Sequence, residues 1–321
     1  DSATVTVASV AKEMGLNGLS VDAAMNATDK SRMRAVLSKR NLPNPKYISG
    51  HNLEDVTREL RELSFPLVIK PADNSAGRGI QILYNAESIP NAFENARKFS
   101  NNGIVVLEEF LDGVEHTVEG FVNEGEVHIF GVSDKIKIEP PYCVATNLIY
   151  PTNLPRTHYD ALKELNKKVV DAVGIDTGPI HAEYISNGGN IRIVEIAART
   201  GGGKITNPII EHISGIDPVE KTIKMALGDD LDQIEPEIQR GAVYRFFRPT
   251  PGILKKIHNM DKARNIEGIL SLEVWIKPGD RIYPMIDSMK RIGHIVAGSD
   301  TRENAIRFAD LAEETIMFEI E

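Results

Sequence analysis

Two apolar segments on either side of a glycine-rich turn are the feature that most restricts the fold of this chain. Residues 180–185 read Ile-His-Ala-Glu-Tyr-Ile, and residues 191–196 read Ile-Arg-Ile-Val-Glu-Ile. Between them, residues 187–190 read Asn-Gly-Gly-Asn, a composition typical of tight turns. β-Branched residues on both sides of such a turn predict an antiparallel β-hairpin.

Each predicted strand carries one acidic residue. A turn centred on Gly189 would place Ile185 opposite Ile193. In the same register Glu183 lies opposite Glu195, with the two Cβ atoms ~4.5–5.5 Å apart. Two carboxylates at that separation in apolar strands repel each other unless a cation lies between them or one is protonated. Because Mg²⁺ prefers one or two carboxylates together with substrate phosphates, the pair predicts a magnesium site. The alternative is that both acids face solvent, or that another turn length shifts the register.

A second feature is a loop of small residues between two predicted strands. The run Leu67–Lys70 precedes Pro-Ala-Asp-Asn-Ser-Ala-Gly-Arg-Gly at residues 71–79, and Ile80–Leu83 follows. Small residues let backbone N–H groups approach an anion without obstruction by Cβ atoms. Lys70 adds a point charge and Arg78 a forked donor, so the loop suits a polyphosphate. The alternative is an ordinary flexible hairpin loop.

The charge balance argues against nucleic acid as a partner. Among 321 residues, Lys and Arg number 37 and Asp and Glu number 46, for a formal net charge of -9. A general nucleic-acid binder needs a basic face to displace counterions from the phosphate backbone. No apolar run approaches the ~18–20 residues that cross a bilayer, so no membrane partner is expected either.

Cysteine and histidine usage argue for a reducing compartment and against a zinc site. Cys143 is the only cysteine, which excludes an intrachain disulfide and suits a cytoplasmic setting. His116, His181 and His212 lack the spacing of metal ligands and are expected to pack or to form hydrogen bonds.

The order of predicted elements favours the α+β class. Helical patterns, such as those over residues 29–40 and 302–317, are mixed with strands that are linked mostly as hairpins rather than as a regular βαβ series. The chain opens with a helical pattern over residues 2–14 and no strand before it. We therefore expect that a preceding βα domain is missing from this chain or is supplied elsewhere.

Five motifs follow one another along the chain. They are Asp29-Lys30 before an arginine-bearing helix, Phe65–Pro71 with the loop Ser75–Gly79, the acidic stretch Val106–Glu115, Glu183, and Glu195 with Arg199. In this order they resemble the ATP-grasp superfamily, and within it the branch of carbamoyl-phosphate synthetase, biotin carboxylase and L-amino-acid ligase.

The resemblance implies a fold in which two α+β halves grip ATP and the smaller half acts as a lid. It covers residues 22–215 well and continues weakly through residues 287–289 and 298–309, which resemble the C-terminal α/β closing segment of biotin-carboxylase-type enzymes. The implied units are a remnant of an N-terminal domain with its linker helix (1–42), the lid (43–108), the catalytic subdomain (109–230) and a C-terminal segment packed on it (231–321).

The same resemblance implies roles for individual residues. Glu183 and Glu195 would hold Mg²⁺, with Mn²⁺ as an alternative ion. Lys135 and Arg199 would be the catalytic cations that reach the γ-phosphate or the acyl group, although Lys135 also fits an ordinary solvated lysine. The ATP phosphates would be bound by Lys30, Lys70, Ser75, Ala76, Gly77, Arg78 and Gly79, the adenine edge would be formed by Glu108, Glu109, Phe110 and Leu111, and the ribose hydroxyls would be bound by Glu115.

One position departs from the family pattern. The family usually carries Glu-x-Asn at the second acid, and this chain has Ala197 where the asparagine would stand. The missing amide oxygen implies that water completes the metal site, that metal binding is weaker, or that the catalytic assignment fails.

The activity implied by the resemblance is that of an ATP-dependent carboxylate–amine ligase acting on small molecules. A carboxylate would attack the γ-phosphorus of ATP to give an acyl phosphate and ADP, and an amine would then form an amide or peptide-like bond. Two alternatives stay open: a bicarbonate-activating carboxylase or carbamoyl-phosphate-type subunit, and an ATP-binding partner subunit without turnover. A homodimer is compatible with all three.

Overall fold

The computed structural model describes residues 3–140 and 142–321, and three helices open the described chain. Gly15 ends the first of them in the left-handed conformation, and Asp29 caps the third by accepting two backbone N–H hydrogen bonds. These helices are α1 (Thr4–Met14), α2 (Val21–Thr28) and α3 (Lys30–Lys39).

The helices predicted over residues 29–40 and 2–14 are confirmed as α3 and α1. Ser2, the first residue of the helix predicted over residues 2–14, lies outside the described residues. Helix α2 escaped prediction because it is short and is recognised mainly by its cap, in which Ser20 accepts a hydrogen bond from the N–H of Ala23.

A small antiparallel sheet follows, with the strand order β1-β4-β2-β3. Helix α5 packs on it through Phe93 and Ala96, which are buried with Leu67 and Leu107 of the strands. The elements are β1 (Tyr47–Gly50), α4 (Leu53–Thr57), β2 (Leu67–Pro71), β3 (Gln81–Leu83), α5 (Ile89–Arg97) and β4 (Val105–Glu109).

The larger sheet is also antiparallel and has the strand order β12-β14-β10-β7-β6-β5-β8-β9. Its strands are β5 (Val114–Asn123), β6 (Glu126–Lys137), β7 (Ala145–Tyr150), β8 (Gly178–Asn187), β9 (Asn190–Ala197), β10 (Gly241–Phe246), β12 (Ile269–Val274) and β14 (Gly293–Ser299). Three of these strands come from residues 231–321, so the segment predicted to pack on the catalytic subdomain extends its sheet. The division of the chain into four units stays a prediction.

The remaining elements complete the C-terminal part and its three-stranded sheet, ordered β13-β11-β15. They are α6 (Arg156–Val173), α7 (Glu211–Ser214), α8 (Pro218–Leu227), β11 (Gly252–His258), α9 (Met260–Arg264), β13 (Arg281–Ile282), α10 (Arg302–Thr315) and β15 (Met317–Ile320). Shorter turns of 3-10 or π-helix lie at residues 60–62, 86–88, 205–210 and 288–290.

The helix predicted over residues 302–317 was placed two residues too far. It ends at Thr315, because the buried Ile316 has an extended backbone and the chain continues as β15 beside β11. Pairing with β11 satisfies the backbone there, and neither helical propensity nor periodicity could reveal it.

Helix α6 covers one face of the larger sheet and leaves the other face to the cleft described below. Its apolar stripe, including Leu162 and Val169, is buried against Val118 and Ile193 of the sheet. Because side chains alternate along a strand, residues next to the buried ones point to the opposite face. In the described ranges no helix is long and apolar enough to cross a membrane.

A buried polar network ties α10 to the larger sheet. Asp134 accepts a hydrogen bond of 2.5 Å from Thr152 Oγ1 and pairs at 2.8 Å with Nη2 of Arg302, the first residue of α10. His116 Nδ1 lies 3.1 Å from the same carboxylate. Burial raises the pKa of Asp134, but its contacts with His116, Thr152, Asn153 and Arg302 hold it below its ordinary value.

We expect Asp134→Asn to lower the free energy of unfolding by about 3 kcal/mol at pH 7, because it leaves Arg302 half-buried without its counter-ion. A lowered carboxyl pKa stabilises the folded state above the ordinary Asp pKa of ~3.9, and that contribution is lost as the pH falls through the native value. Urea unfolding at pH 7 and at about pH 3 measures the difference, which should shrink in acid.

The matched control is Asp160→Asn, which removes the partner of an exposed pair with Arg156 on α6 and should cost under about 0.5 kcal/mol. Equal losses in the two variants, or a loss for Asp134→Asn that grows in acid, would contradict the role of the network.

Candidate functional site

The hairpin of β8 and β9 places Glu183 directly opposite Glu195, as the sequence predicts. The rest of the predicted register is wrong: Ile185 pairs with Arg192, because the turn contains two residues rather than being centred on one. Gly188 and Gly189 form this turn with φ of 56° and 92°, a region that glycine adopts without strain. A β-bulge between positions 183 and 184 shifts the register by one residue and restores the pairing of the two acids.

Glu183 is surrounded by cations. Lys135 Nζ lies 2.7 Å from Glu183 Oε1, and His181 Nε2 lies 3.5 Å from the same oxygen. Burial raises the pKa of Glu183, but Lys135 and His181 together hold it well below its ordinary value. The carboxylate is therefore ionised across the neutral pH range.

Glu195 faces Glu183 and has a different cation beside it. Lys30 Nζ, from the first residue of α3, lies 3.1 Å from Glu195 Oε2. Burial and the neighbouring Glu183 raise the pKa of Glu195, whereas Lys30 and Lys70 lower it more, so that it lies below its ordinary value. Both members of the predicted metal pair are thus anionic.

The pair fits a Mg²⁺ ion that arrives with phosphates and does not fit a metal cage made of protein alone. Among residues 3–140 and 142–321, no group of three or more His, Cys, Asp or Glu side chains could hold a metal ion. Ala197, at the end of β9, pairs with His181 and adds no oxygen ligand. Two carboxylates, with phosphate oxygens and water for the other positions, are the donor set that Mg²⁺ prefers in nucleotide sites.

Lys70 lies at the base of the small-residue loop in a buried ion triad. Its Nζ is 2.5 Å from Glu108 Oε1, and Arg34 Nε is 3.0 Å from Glu108 Oε2. Burial lowers the pKa of Lys70 below its ordinary value, although the neighbouring Glu108 raises it in part. Burial raises the pKa of Glu108, yet Arg34 and Lys70 bring it below its ordinary value. The Glu108 carboxylate therefore pairs with two cations, Lys70 and Arg34, and this leaves an excess of positive charge beside the loop.

The loop itself folds toward Lys30 and Lys70. Lys30 Nζ donates a hydrogen bond of 2.8 Å to the carbonyl of Asn74, and the backbone of Ala76 has a φ of 62°. Of the loop residues predicted to bind phosphate, Ser75, Ala76 and Gly77 line the cleft, whereas Arg78 and Gly79 do not. Gly79 supports the loop from behind, since a Cβ atom there would lie 2.9 Å from the ring of Phe99.

The predicted adenine edge lies along the other side of the cleft. The N–H of Glu109 donates a hydrogen bond of 3.0 Å to the carbonyl of Lys46, and the N–H of Phe110 donates one of 3.1 Å to the carbonyl of Pro66. Within the described part of the chain, Leu111 N–H has no hydrogen-bond acceptor. Glu108 was predicted for this edge as well, but its carboxylate is bound by Lys70 and Arg34.

Lys135 is half-buried in the cleft, so the alternative of a solvated lysine is wrong. Its side chain is 15% exposed and also pairs at 2.6 Å with Glu115, which in turn lies 2.6 Å from Lys137 Nζ. Burial lowers the pKa of Lys135, but Glu115 and Glu183 raise it far more, and it ends well above its ordinary value. Lys135 is therefore a permanent cation rather than a base.

His181 lines the cleft as well, although only a packing or hydrogen-bonding role was expected for it. His116 and His212 do form hydrogen bonds elsewhere. His181 Nδ1 lies 2.6 Å from Glu119 Oε1, and both residues are buried. Burial lowers the pKa of His181, but Glu119 and Glu183 raise it to about 10. The signal for this role is its position two residues before Glu183, on the same face of the same strand.

These residues share one cleft of ≈ 500 Å³ between the small sheet and the larger sheet. Apart from Arg78 and Gly79, every site residue predicted from the sequence lines it. They are Lys30, Lys70, Ser75, Ala76, Gly77, Glu108, Glu109, Phe110, Leu111, Glu115, Lys135, Glu183, Glu195 and Arg199.

The cleft also contains residues that sequence reasoning missed. Leu148, Tyr244 and Phe246 form an apolar wall, and the guanidinium of Arg291 lies 3.7 Å above the centre of the Phe246 ring. Arg291 Nη2 donates to the Ala145 carbonyl at 2.9 Å, whereas its buried Nε has no partner in the described ranges. Burial lowers the pKa of Arg291 to about 10.

A half-buried guanidinium without an acidic neighbour is costly, and an anionic ligand would offset that cost. Arg291 could not have been selected from the sequence. It follows Lys290 just before the apolar run of β14, and only the fold brings it to Phe246, 45 positions earlier in the chain.

Comparison with known proteins supports this description. Residues 63–208 match the family described as ATP-grasp domain, and residues 245–321 match the family described as L-amino acid ligase C-terminal domain 2. The fold of this chain is similar to the crystal structure of L-amino acid ligase from Bacillus licheniformis, with a TM-score of 0.85 and 23% sequence identity. The match covers 100% of this chain and 79% of that one. Likeness at this level of identity establishes the ATP-grasp fold.

Two sequence relatives cover most of the chain. The uncharacterized protein y4rH of Sinorhizobium fredii is 23% identical over 100% of this chain and 67% of its own length. The L-arginine-specific L-amino acid ligase of Bacillus subtilis is 24% identical over 88% of this chain and 73% of its own. The chain spans about a fifth of the length of related carbamoyl phosphate synthase large chains.

Cys143 offers a test of what occupies the cleft, because it is the only cysteine and lines the wall near Glu115. Burial raises the pKa of its thiol, so labelling by N-ethylmaleimide should be slow and should keep accelerating above about pH 8.5. We expect MgADP to slow this labelling at least about tenfold by covering the thiol. Mass spectrometry of timed samples measures the rate, and Cys143→Ser is the blank. Labelling unaffected by saturating MgADP would exclude nucleotide from this wall.

Proposed function

Because this chain belongs to the ATP-grasp superfamily, in the branch of carbamoyl-phosphate synthetase, biotin carboxylase and L-amino-acid ligase, we propose that it is an ATP-dependent carboxylate–amine ligase. It would convert MgATP, a small-molecule carboxylate and an amine to ADP, phosphate and an amide. The observation that carries this proposal is one cleft lined by lysines, by two facing carboxylates and by two arginines.

The lysine end has the charge required for a nucleotide. Three cations, Lys30, Arg34 and Lys70, pair with only two carboxylates, those of Glu195 and Glu108. This leaves one positive charge in excess. An excess of fixed positive charge beside backbone N–H groups favours a polyphosphate anion. The free N–H of Leu111 is available to the edge of an adenine ring.

The acidic pair supplies the place for magnesium. Glu183 and Glu195 would hold the ion against the terminal phosphates, where it neutralises charge on the transferring phosphoryl group. Lys135 is held as a cation between Glu115 and Glu183, and it would stabilise the same negative charge without exchanging its proton.

Two arginines suit the carboxylate substrate. Arg199 and Arg291 both line the cleft, and a guanidinium binds a carboxylate with two parallel hydrogen bonds. Beside them, Leu148, Tyr244 and Phe246 would accommodate an apolar part of a substrate. Two of these residues, Phe246 and Arg291, lie within the segment that matches the L-amino acid ligase C-terminal domain, which favours an amine acceptor over bicarbonate.

The reaction would proceed in two displacements. A carboxylate oxygen attacks the γ-phosphorus, and the bond from that phosphorus to the bridging oxygen of ADP breaks. The amine nitrogen then attacks the acyl carbon of the acyl phosphate, the carbon–oxygen bond to phosphate breaks, and the nitrogen loses one proton. Positioning and charge neutralisation in a cleft shielded from water account for the catalysis.

The proposed function is tested by incubating the protein with MgATP and pooled amino acids, with and without bicarbonate. We expect ADP and a new amide, both identified by mass, with ADP release that depends on the amino acids. AMP as the product would refute the acyl-phosphate route. ADP release that is stimulated by bicarbonate alone would instead indicate a bicarbonate-activating enzyme. Nucleotide binding without ADP formation would indicate a partner subunit.

Glu195→Gln tests the magnesium assignment. The change keeps the size of the side chain but removes one of two facing charges, so amine-dependent ADP release should fall by at least about a hundredfold. Glu220→Gln, an exposed residue of α8, is the matched control and should leave turnover unchanged. Turnover of Glu195→Gln within a few-fold of the unaltered protein would show that Glu195 holds no essential ion.

A further inference from the structure

Arg34 is a fully buried arginine that connects three elements of the fold. It lies on α3 with 0% of its surface exposed. Its Nε and Nη2 atoms lie 3.0 and 3.3 Å from the two carboxylate oxygens of Glu108 on β4. Nη2 also donates a hydrogen bond of 2.7 Å to the carbonyl of Val194 on β9. One guanidinium thus joins a helix, the small sheet and the larger sheet.

Each end of this connection lies one step from a residue of the proposed nucleotide site. Glu108 Oε1 is 2.5 Å from Lys70 Nζ, and Val194 immediately precedes Glu195. Arg34 itself does not line the cleft. It therefore contacts no substrate and acts through its neighbours.

We propose that Arg34 is the positioning residue that sets the phosphate-binding Lys70 against the magnesium-binding Glu195. This inference rests on the proposed nucleotide-binding function. Through Glu108 it fixes Lys70, which belongs to the small sheet, and through Val194 it fixes the strand that carries Glu195 in the larger sheet. The two halves of the cleft then keep one spacing, as a nucleotide spanning them requires.

The charge of Arg34 also determines what Lys70 can do. If Glu108 faced Lys70 alone, the two charges would cancel and the lysine would have little attraction left for phosphate. With Arg34 bound to both oxygens of Glu108, the three residues carry a net positive charge. Arginine suits this position because its planar fork binds a carboxylate and a carbonyl together, whereas a lysine ammonium is a point charge on a flexible chain.

The primary test is Arg34→Lys, which keeps the buried charge but cannot maintain both contacts. We expect calorimetry to show MgADP binding at least about tenfold weaker than in the unaltered protein, because charge-assisted hydrogen bonds are lost or loosened. The Mg²⁺ concentration that gives half-maximal ADP binding should rise by a similar factor, about tenfold, since the support of Glu195 is weakened.

The matched control is Leu37→Ala, on the same helix. Leu37 is fully buried and packs in the core beneath the larger sheet, away from the cleft. This variant should lower the melting temperature while leaving the MgADP affinity and the Mg²⁺ midpoint unchanged. A role of Arg34 in stability alone predicts that Arg34→Lys behaves in the same way, and that result would overturn the inference.

If Arg34→Lys does not fold, the test uses Arg34→Met, which leaves Glu108 paired with Lys70 alone, so that neither of these two charges loses its partner. Relative to the unaltered protein, this variant should raise the Mg²⁺ midpoint for ADP binding about tenfold, because the strand that carries Glu195 loses its hydrogen bond at Val194. An unchanged midpoint would refute the inference. Absence of MgADP binding by the unaltered protein would instead refute the proposed function.

Discussion

The facing carboxylates of Glu183 and Glu195 are the constraint on which the rest of the site depends. Two like charges on neighbouring strands in a mostly apolar hairpin are tolerable only if cations stand beside them. The cations come from elements far apart in the sequence: Lys30 from α3 and Lys135 from β6. The protein therefore holds an alternating set of charges that keeps both carboxylates ionised, and in the proposed reaction magnesium and phosphates enter this set.

The two sheets are coupled at the point where the charges meet. Lys70 belongs to the small sheet and the acidic pair to the larger one, so their separation depends on contacts that cross between the sheets. Arg34 makes two such contacts, with Glu108 and with Val194. A buried ion network of this kind adds little net stability compared with an apolar core, but it specifies one arrangement, which a site that must fit a single ligand needs.

Sequence reasoning was most successful where one local pattern determines the structure. The small-residue loop after Lys70 and the acid-bearing hairpin both lie within short segments, and nearly all the residues predicted for them line one cleft. It failed where partners lie far apart in the chain. The β-bulge that aligns Glu183 with Glu195, the strand after α10 and the stacking of Arg291 on Phe246 each depend on a neighbour supplied by the fold.

The sequence by itself determined the class of fold, the small-residue loop after Lys70 and the facing pair of acids, because residue size, charge and periodicity act within a few positions. Only the tertiary structure decided which cations neutralise those acids, that Lys135 is held in the cleft and not in solvent, and that Glu108 serves Lys70 and Arg34 together. These properties follow from burial and from distances across strands, since a charge acquires its energetic weight from the low-dielectric surroundings that only the folded chain creates.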